Sequence, residues 1–175
     1  VLVTPRLALD VFRCHSAVVH TFDWVMHVIG TPAGLNAWPK APPLKGRGYD
    51  QWQDVRRAPM PRTGLCLKWE APEGMTRASI RTPNRPRVFL GRDPESKFRA
   101  VGQVEPAGVR HAVRVRIRGR EALFVSAWTF DGTTVVITGL KGAARTEVRI
   151  RLRAGQHETN WMVPFDDGKR IRNRC

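Results

Sequence analysis

The sequence lacks the patterns that identify common enzyme and metal-binding classes. It has three cysteines, Cys14, Cys66 and Cys175, with no CxxC pair and no Cys/His cluster, which excludes a zinc finger. They allow at most one disulfide within the chain, so at least one thiol stays free or pairs with another chain. The GxSxG, HExxH, P-loop and dinucleotide-binding motifs are absent. The sequence therefore offers no recognisable catalytic motif.

Long apolar runs and amphipathic helical patterns are also missing. No stretch approaches the roughly 20 apolar residues that a membrane span needs, so we expect no membrane partner. No charged and then apolar leader precedes Val1. We therefore expect a soluble module cut from a larger protein.

Acidic residues are scarce. Thirty Lys and Arg stand against fifteen Asp and Glu, which gives a formal charge of +15. Such a charge favours a polyanionic partner, namely a nucleic acid, an acidic polysaccharide or an anionic membrane surface. The guanidinium fork of arginine suits carboxylate, sulfate and phosphate equally. The alternative interpretation is that arginines only fill solvated positions.

Alternation with a period of two is the dominant pattern, and it predicts β-strands. Segment 111–118 reads HAVRVRIR, with three apolar residues on one face and Arg114, Arg116 and Arg118 on the other. Segment 147–153 repeats this pattern with three further arginines. Each segment therefore predicts a strand with one face in a core and one face in water.

The other strand candidates are short and are separated by turn residues. Further strands are predicted at 6–13, 21–29, 64–70, 76–81, 87–91, 122–129 and 133–138. Asp131-Gly132 predicts a tight hairpin, and Glu73-Gly74 and Gly119 predict further turns. The proline- and glycine-rich residues 31–48 predict a long surface loop. We expect an all-β, antiparallel β-sandwich over residues 1–165, with its first strands upstream, and a polar basic tail at 166–175.

The six tryptophans divide into two groups. Trp24, Trp69 and Trp128 lie in predicted strands and are expected in the core. Trp38 and Trp52 lie in the loop region near Tyr49, the only tyrosine, and near Arg56 and Arg57. This mixture of aromatic and cationic groups suits an anionic glycan, and it suits an interface with a neighbouring domain equally well.

His20, Asp23 and His27 lie close together around one predicted strand, 21–29. Asp23 and His27 are four residues apart and share a face, whereas the position of His20 has the wrong parity for that face. We therefore predict no metal site, and we expect a hydrogen-bonded histidine at a sheet or domain interface. Nothing in the sequence pairs two carboxylates for glycosidase chemistry.

Segment 7–30, LALDVFRCHSAVVHTFDWVMHVIG, resembles part of the C-terminal sheet domain of heparinase II/III-like polysaccharide lyases, alginate-lyase relatives included. The resemblance extends over residues 7–130, with GYDQWQDVRRAP at 48–59 similar to a loop of the family. The matching positions of the first segment are Asp10, Val11, Phe12, Arg13, His20, Asp23, Trp24, His27 and Gly30.

The resemblance implies a secreted or periplasmic lyase in which an α/α-toroid packs against a β-sandwich. Such a lyase cleaves an acidic, uronate-containing polysaccharide by β-elimination. The family's base and acid, a Tyr and a His, lie mostly on the toroid, and its structural metal lies in strands that would precede Val1. We therefore expect a chain that is inactive alone, has no cofactor of its own, and has the toroid domain and the acidic polysaccharide as partners.

The lyase interpretation gives this chain one wall of the substrate cleft. Its expected substrate-binding residues cluster together and are Tyr49, Trp38, Trp52, Arg56, Arg57, His20 and His27. The alternative is a non-catalytic module that binds a polyanion or carbohydrate, or a purely structural sandwich. Nucleic acid is the less favoured polyanion, because no recognition helix and no aromatic RNA-binding strand is present.

Overall fold

The computed structural model describes residues 2–4, 6–46, 48–58, 64–71, 74–93, 110–141 and 147–165. These residues form eleven strands and a short 3-10 turn, without an α-helix, and all strand pairs are antiparallel. The predicted all-β class is confirmed, whereas the tail at 166–175 lies outside the described residues. The strands are β1 (Leu2–Val3), β2 (Leu7–Ile29), β3 (Thr31–Pro32), β4 (Gln53–Ala58), β5 (Leu65–Ala71), β6 (Gly74–Arg81), β7 (Arg87–Arg92), β8 (Arg110–Thr129), β9 (Val135–Lys141), β10 (Glu147–Ala154) and β11 (His157–Pro164).

A long ribbon of β2 and β8 forms the centre of the fold. The strands have 23 and 20 residues, and each merges two shorter strands predicted from the sequence. Gly119 lies inside β8, so the turn predicted there is wrong. The register instead shifts between His15 and His20, opposite Gly119. At this irregularity the side chains of β8 that face the barrel core change from odd-numbered to even-numbered positions. In the sequence such a break in the alternation resembles a turn between two strands.

The ribbon is too long to stay flat. At about 3.3 Å per residue a 23-residue strand spans about 75 Å, whereas a domain of 175 residues is roughly 40 Å across. On its other edge, β8 pairs with β7 near one end and with β6 near the other. β4 extends the sheet beyond β7, and β5 and β3 extend it beyond β6. Because β3 follows β2 after Gly30, the two ends of the ribbon are brought together and the sheet curls into a half-barrel.

The barrel interior is apolar and rich in indoles. Trp24, Trp69 and Trp128 are 7%, 0% and 3% exposed, so the prediction that they are core residues is confirmed. Trp128 stacks on Trp69 with ring centroids 5.7 Å apart, and it lies 6.3 Å from Trp24. These contacts join β2, β5 and β8, and they hold the curled sheet closed.

The second sheet, in the order β11-β10-β9, packs on the outside of the ribbon. Its alternating pattern buries Val148, Ile150 and Leu152 against ribbon residues such as Val125. The three arginines between them are exposed, as predicted. β11 was not predicted, because it has no clear alternation: Met162 is exposed on its outward face, and only Trp161 and Val163 are half-buried on its inward face. β4 was also not predicted, because only Val55 and Ala58 of its six residues are buried.

The chain changes sheets at Asp131-Gly132. A turn forms there, with the backbone N–H of Thr133 donating to Asp131 Oδ1 at 2.9 Å. β9 then pairs with β10 and not with β8, so the predicted hairpin is wrong. The crossing is fixed by Ser79 Oγ, which accepts from the N–H of Ile137 at 2.9 Å. A turn motif specifies the local backbone, whereas these tertiary contacts select the partner strand.

Burial of Ile150 should hold the second sheet on the ribbon. Ile150→Ala leaves a cavity between the sheets, so we expect the free energy of unfolding to fall by about 2–5 kcal/mol in urea denaturation. Arg153→Ala, on the opposite face of β10, is the control and should change it by less than about 0.5 kcal/mol. Equal losses from the two variants would contradict the packing described here.

Candidate functional site

The two histidines expected in one cleft lie on opposite faces of β2. The pairing with β8 is regular from His20 to Ile29, and positions seven residues apart in a regular strand point to opposite faces. The ring of His20 lies 6.3 Å from that of Phe22, which packs on the barrel core. His27 Nδ1 lies 2.9 Å from Oδ2 of the buried Asp93. The expectation that the two histidines cluster is therefore wrong, because strand geometry separates them.

Trp38, Arg56 and Arg57 are a second group of the expected substrate-binding residues, at a different place in the fold. Trp38 is half-buried against the barrel core, and its carbonyl oxygen accepts a hydrogen bond from Arg56 Nη1 at 3.0 Å. Arg57 is exposed on β4, and its backbone N–H donates to the carbonyl of Pro39 at 3.0 Å. Arg56 thus fixes the loop that precedes β4.

Tyr49 and Trp52 form a third location, on the opposite side of the sheet from Trp38. They meet edge to face with centroids 5.7 Å apart, in a cluster with Leu44, Val55 and Ala112. Trp52 is only 5% exposed, so its indole is a packing group and has no free face for a sugar ring. The seven residues are therefore distributed over several locations and do not form one wall, because they belong to β2, to β4 and to the segment before β4, whose side chains pack on both sides of the sheet.

A charged cluster that the sequence did not predict lies beside Tyr49. Arg116 donates from Nε and Nη2 to the two carboxylate oxygens of Asp23, at 2.7 and 2.6 Å. The Tyr49 side chain also lies beside this carboxylate and helps to lower its pKa. Asp23 and Arg116 face each other directly in the β2/β8 register, which places the two side chains together.

Arg114, predicted to face water, is instead 2% exposed. Its guanidinium lies between two rings, 4.6 Å from the centroid of Tyr49 and 4.8 Å from that of Phe89. Its Nε and Nη1 have no hydrogen-bond partner among the described residues. The loop that carries Tyr49 covers Arg114. The alternation therefore predicted correctly which face of β8 carries Arg114, but it did not predict that tertiary packing buries that face.

The cluster shifts the ionisation of its members. Burial opposes ionisation of Asp23, but the hydrogen bonds and charge of Arg116, with smaller effects from Arg114 and Tyr49, outweigh it and lower the pKa of this carboxyl. Burial, together with the neighbouring Asp23 charge, raises the pKa of Tyr49. Burial also lowers the pKa of Arg114. Asp23 therefore stays ionised, and Tyr49 keeps its proton at neutral pH.

An open cavity of about 500 Å³, here called the barrel groove, lies where the two ends of β2 approach each other. Among its described lining residues, Asp10 supplies a carboxylate. Asp10 Oδ2 accepts a hydrogen bond from Trp24 Nε1 at 3.0 Å. The exposed ring of Phe130 lies at its rim. The residues lining the groove are Ala8, Asp10, Met26, His27, Val28, Ile29, Gly74, Thr76, Trp128 and Phe130.

Three exposed arginines of β10, here called the arginine row, define the outer face of the second sheet. The row consists of Arg149, Arg151 and Arg153. In the register with β9, Lys141 lies beside the first of them. Glu147 and Glu158 lie at the margins, with ion pairs to Arg149 at 3.0 Å and to Arg151 at 3.3 Å. Because all four pairing groups are substantially exposed, these ion pairs are weak and can be displaced.

Several classes of site find no support among the described residues. They contain no group of three or more His, Cys, Asp or Glu side chains able to hold a metal ion, and no helix with the length and hydropathy of a membrane span. Cys14 and Cys66 are free thiols. Cys175 lies outside the described residues, and catalytic residues stay unassigned.

Removing the carboxylate of Asp23 should destabilise the fold. Asp23→Asn leaves Arg116 without its charged partner beside Arg114, so we expect a loss of about 1.5–3 kcal/mol in urea denaturation at neutral pH. Glu158→Gln, which breaks an exposed ion pair, is the matched control and should cost less than about 1 kcal/mol. Equal effects would show that the Asp23 pair is no stronger than a surface pair.

Acid should weaken the same interaction. The pKa of Asp23 is lower in the folded chain than its unfolded value of about 3.9, so the folded state binds this proton less readily. The stabilisation is therefore complete above about pH 5 and is lost as the pH falls through the folded pKa. Denaturation of wild type and Asp23→Asn over a pH series should show their difference shrinking in acid. A difference independent of pH would contradict this linkage.

No protein-family model, curated protein or solved structure matches this chain. The resemblance of segment 7–30 to heparinase II/III-like lyases therefore stays a prediction. The function has to be argued from the surfaces described above.

Proposed function

We propose that this chain is the β-sheet part of a secreted or periplasmic polysaccharide lyase and holds an acidic, uronate-containing polysaccharide in one wall of its substrate cleft. In this proposal the arginine row is the binding wall, and the base and acid of the β-elimination lie outside the chain. The loop aromatics Trp38 and Trp52 are packing residues. The arginine row is the observation that carries the proposal.

The spacing of the arginine row suits an extended polyanion. Alternate residues of a strand are about 6.7 Å apart and point to the same side, so three arginine side chains leave β10 in a row. A uronate polymer presents one carboxylate per uronic acid, and guanidinium binds carboxylate through two parallel hydrogen bonds. Opposite Arg151, Gly139 has no side chain to cover the guanidinium, and Asn160 on the other side offers amide groups for sugar hydroxyls.

The composition of this face favours a polysaccharide over single-stranded nucleic acid. Non-specific nucleic-acid surfaces combine cations with aromatic side chains on which bases stack. The side chains facing outward next to the arginine row are Lys141, Gly139, Val136, Met162, Asn160 and Glu158, none of which is aromatic. Trp161 packs in the core between the sheets.

Tyr49 has the wrong properties for the catalytic base. β-Elimination requires removal of the proton at C5, and a base works best when its pKa lies near the working pH. Burial and the Asp23 carboxylate raise the pKa of Tyr49, so it holds its proton more tightly than an ordinary tyrosine. This supports a structural role for Tyr49 and a binding role for the chain.

Binding to polyuronate should depend on the arginine row. The triple variant Arg149→Ser, Arg151→Ser, Arg153→Ser should weaken binding of polymeric alginate by at least about tenfold in calorimetry at low salt, because it removes the carboxylate partners. The matched control replaces three other exposed arginines, Arg87, Arg92 and Arg118, and should change affinity by less than about threefold.

Three results would overturn the proposal. Equal losses from the two triple variants would mean that only net charge matters. Tighter binding of single-stranded DNA than of alginate at matched salt would favour a nucleic-acid module. Release of unsaturated uronate ends by this chain alone, followed by ultraviolet absorbance, would contradict its non-catalytic role.

The coding sequence upstream of Val1 tests the lyase assignment separately. A helical toroid with a Tyr/His pair, followed by strands with His and Asp ligands, is the expected result. An unrelated domain there, combined with binding through the arginine row, would leave a carbohydrate-binding module that belongs to no lyase.

A further inference from the structure

The barrel groove differs in polarity from the rest of this basic molecule. It lies in the barrel interior, and the arginine row lies on the far side of two packed sheets. Its walls are apolar side chains and an indole, and no Lys or Arg is among its described lining residues. The chain has a formal charge of +15, whereas the charged group among the described lining residues of this cavity is an aspartate. The local charge of the cavity is therefore opposite in sign to that of the chain.

The carboxylate of Asp10 is positioned and partly available. Trp24 Nε1 donates to Oδ2 at 3.0 Å, and this indole is itself fixed against Trp128. The bond orients the carboxylate, while a carboxylate keeps further acceptor sites on its two oxygens. His27 lines the groove as part of β2, but its imidazole is paired with Asp93 on the other face of the strand, so it does not neutralise Asp10.

Aromatic and thioether groups surround this acceptor. The buried Trp128 and the 55% exposed Phe130 line the groove, together with Met26 of β2. Aromatic faces attract organic cations, particularly in a desolvated site. The volume of about 500 Å³ falls in the range of ligand sites, about 300–1,000 Å³.

We propose that the barrel groove binds a small organic cation, with its ammonium group at Asp10 and an apolar body against Trp128, Met26 and Phe130. An anion is disfavoured because it would meet the Asp10 carboxylate. A sugar ring is disfavoured because, with the His27 imidazole paired to Asp93, the polar side chains offered by the described lining residues are Asp10 and Thr76, and unpaired hydroxyls in an apolar site are costly. This site is independent of the proposed polysaccharide-binding function.

Three probes of similar shape test the charge preference. Benzyltrimethylammonium carries the cation, benzyl alcohol is neutral and phenylacetate is an anion. Titration of the whole chain, followed by tryptophan fluorescence and calorimetry, should give affinities in that order. The cation should bind at least about tenfold more tightly than the neutral probe, because it gains a charged partner.

Asp10→Asn tests the position of the site. The amide keeps an acceptor for Trp24 Nε1 but removes the charge, so binding of benzyltrimethylammonium should fall to the level of benzyl alcohol. Phe130→Ala, at the exposed rim, should weaken both probes. The matched control is Asp50→Asn, an exposed loop position, which should leave all affinities unchanged. Thermal unfolding of each variant shows whether the fold is retained.

Either of two results would overturn the proposal in a folded protein. The first is cation binding that Asp10→Asn leaves unchanged, or weakens no more than Asp50→Asn does. That result would place the cation elsewhere. The second is binding of phenylacetate or benzyl alcohol as tight as that of the cation, or binding of no probe, which would show that the groove does not select a cation.

Discussion

The pairing of β2 with β8 determines where every other element of this chain lies. Nineteen residue pairs join the two strands in antiparallel register. A flat ribbon of this length would extend well beyond the diameter of a domain of this size, so the ribbon has to curl. Curling brings its two ends together, and the stacked indoles of Trp24, Trp69 and Trp128 fill the resulting interior. β7 and β4 attach near one end, and β6, β5 and β3 near the other, while the second sheet covers the outside. A change of one residue in this register would exchange the barrel core with the charged face that carries Asp23 and Arg116.

The two faces of the ribbon explain how one chain combines an apolar groove with a basic exterior. Side chains on the inner face form the barrel core and, at the ends of β2, the barrel groove with its carboxylate Asp10. The opposite face carries the second sheet over one half of β8 and the loop containing Tyr49 over the other half. Among the described residues, the arginines of β10 reach solvent as a row on the outer side of the second sheet. Surfaces of different charge are thus separated by two layers of apolar side chains.

The buried Arg114 shows how the fold accommodates a cation in its interior. Two of its nitrogens have no hydrogen-bond partner in the described part of the chain, and the neighbouring Arg116 adds a like charge. The Asp23 carboxylate offsets one of these two positive charges through its hydrogen bonds to Arg116, and the rings of Tyr49 and Phe89 lie over the Arg114 guanidinium. Removal of one partner from such an arrangement is costly, because the remaining charge stays buried. The cluster therefore fixes the loop on the sheet, and the only tyrosine of the chain has a structural position.

By itself the sequence determined the all-β class, the core positions of the three strand tryptophans and the exposed arginines of β10, because strict alternation assigns side chains to faces whatever the partner strand is. It did not determine what covers each face. Arg114 and Arg153 have the same local pattern, yet one is buried under a loop and the other is in water. Likewise Asp131-Gly132 specified a turn but not the sheet that β9 joins. Gly119 has the sequence pattern of a turn yet lies inside β8, because an irregularity in the register reverses the alternation there. No pattern in the sequence indicated the barrel groove, since its walls come from positions 8–10, 26–29, 74–76 and 128–130, which meet only when the ribbon curls. Local sequence thus fixes the direction of a side chain, and tertiary packing decides whether that direction leads to solvent, to a partner or to a cavity.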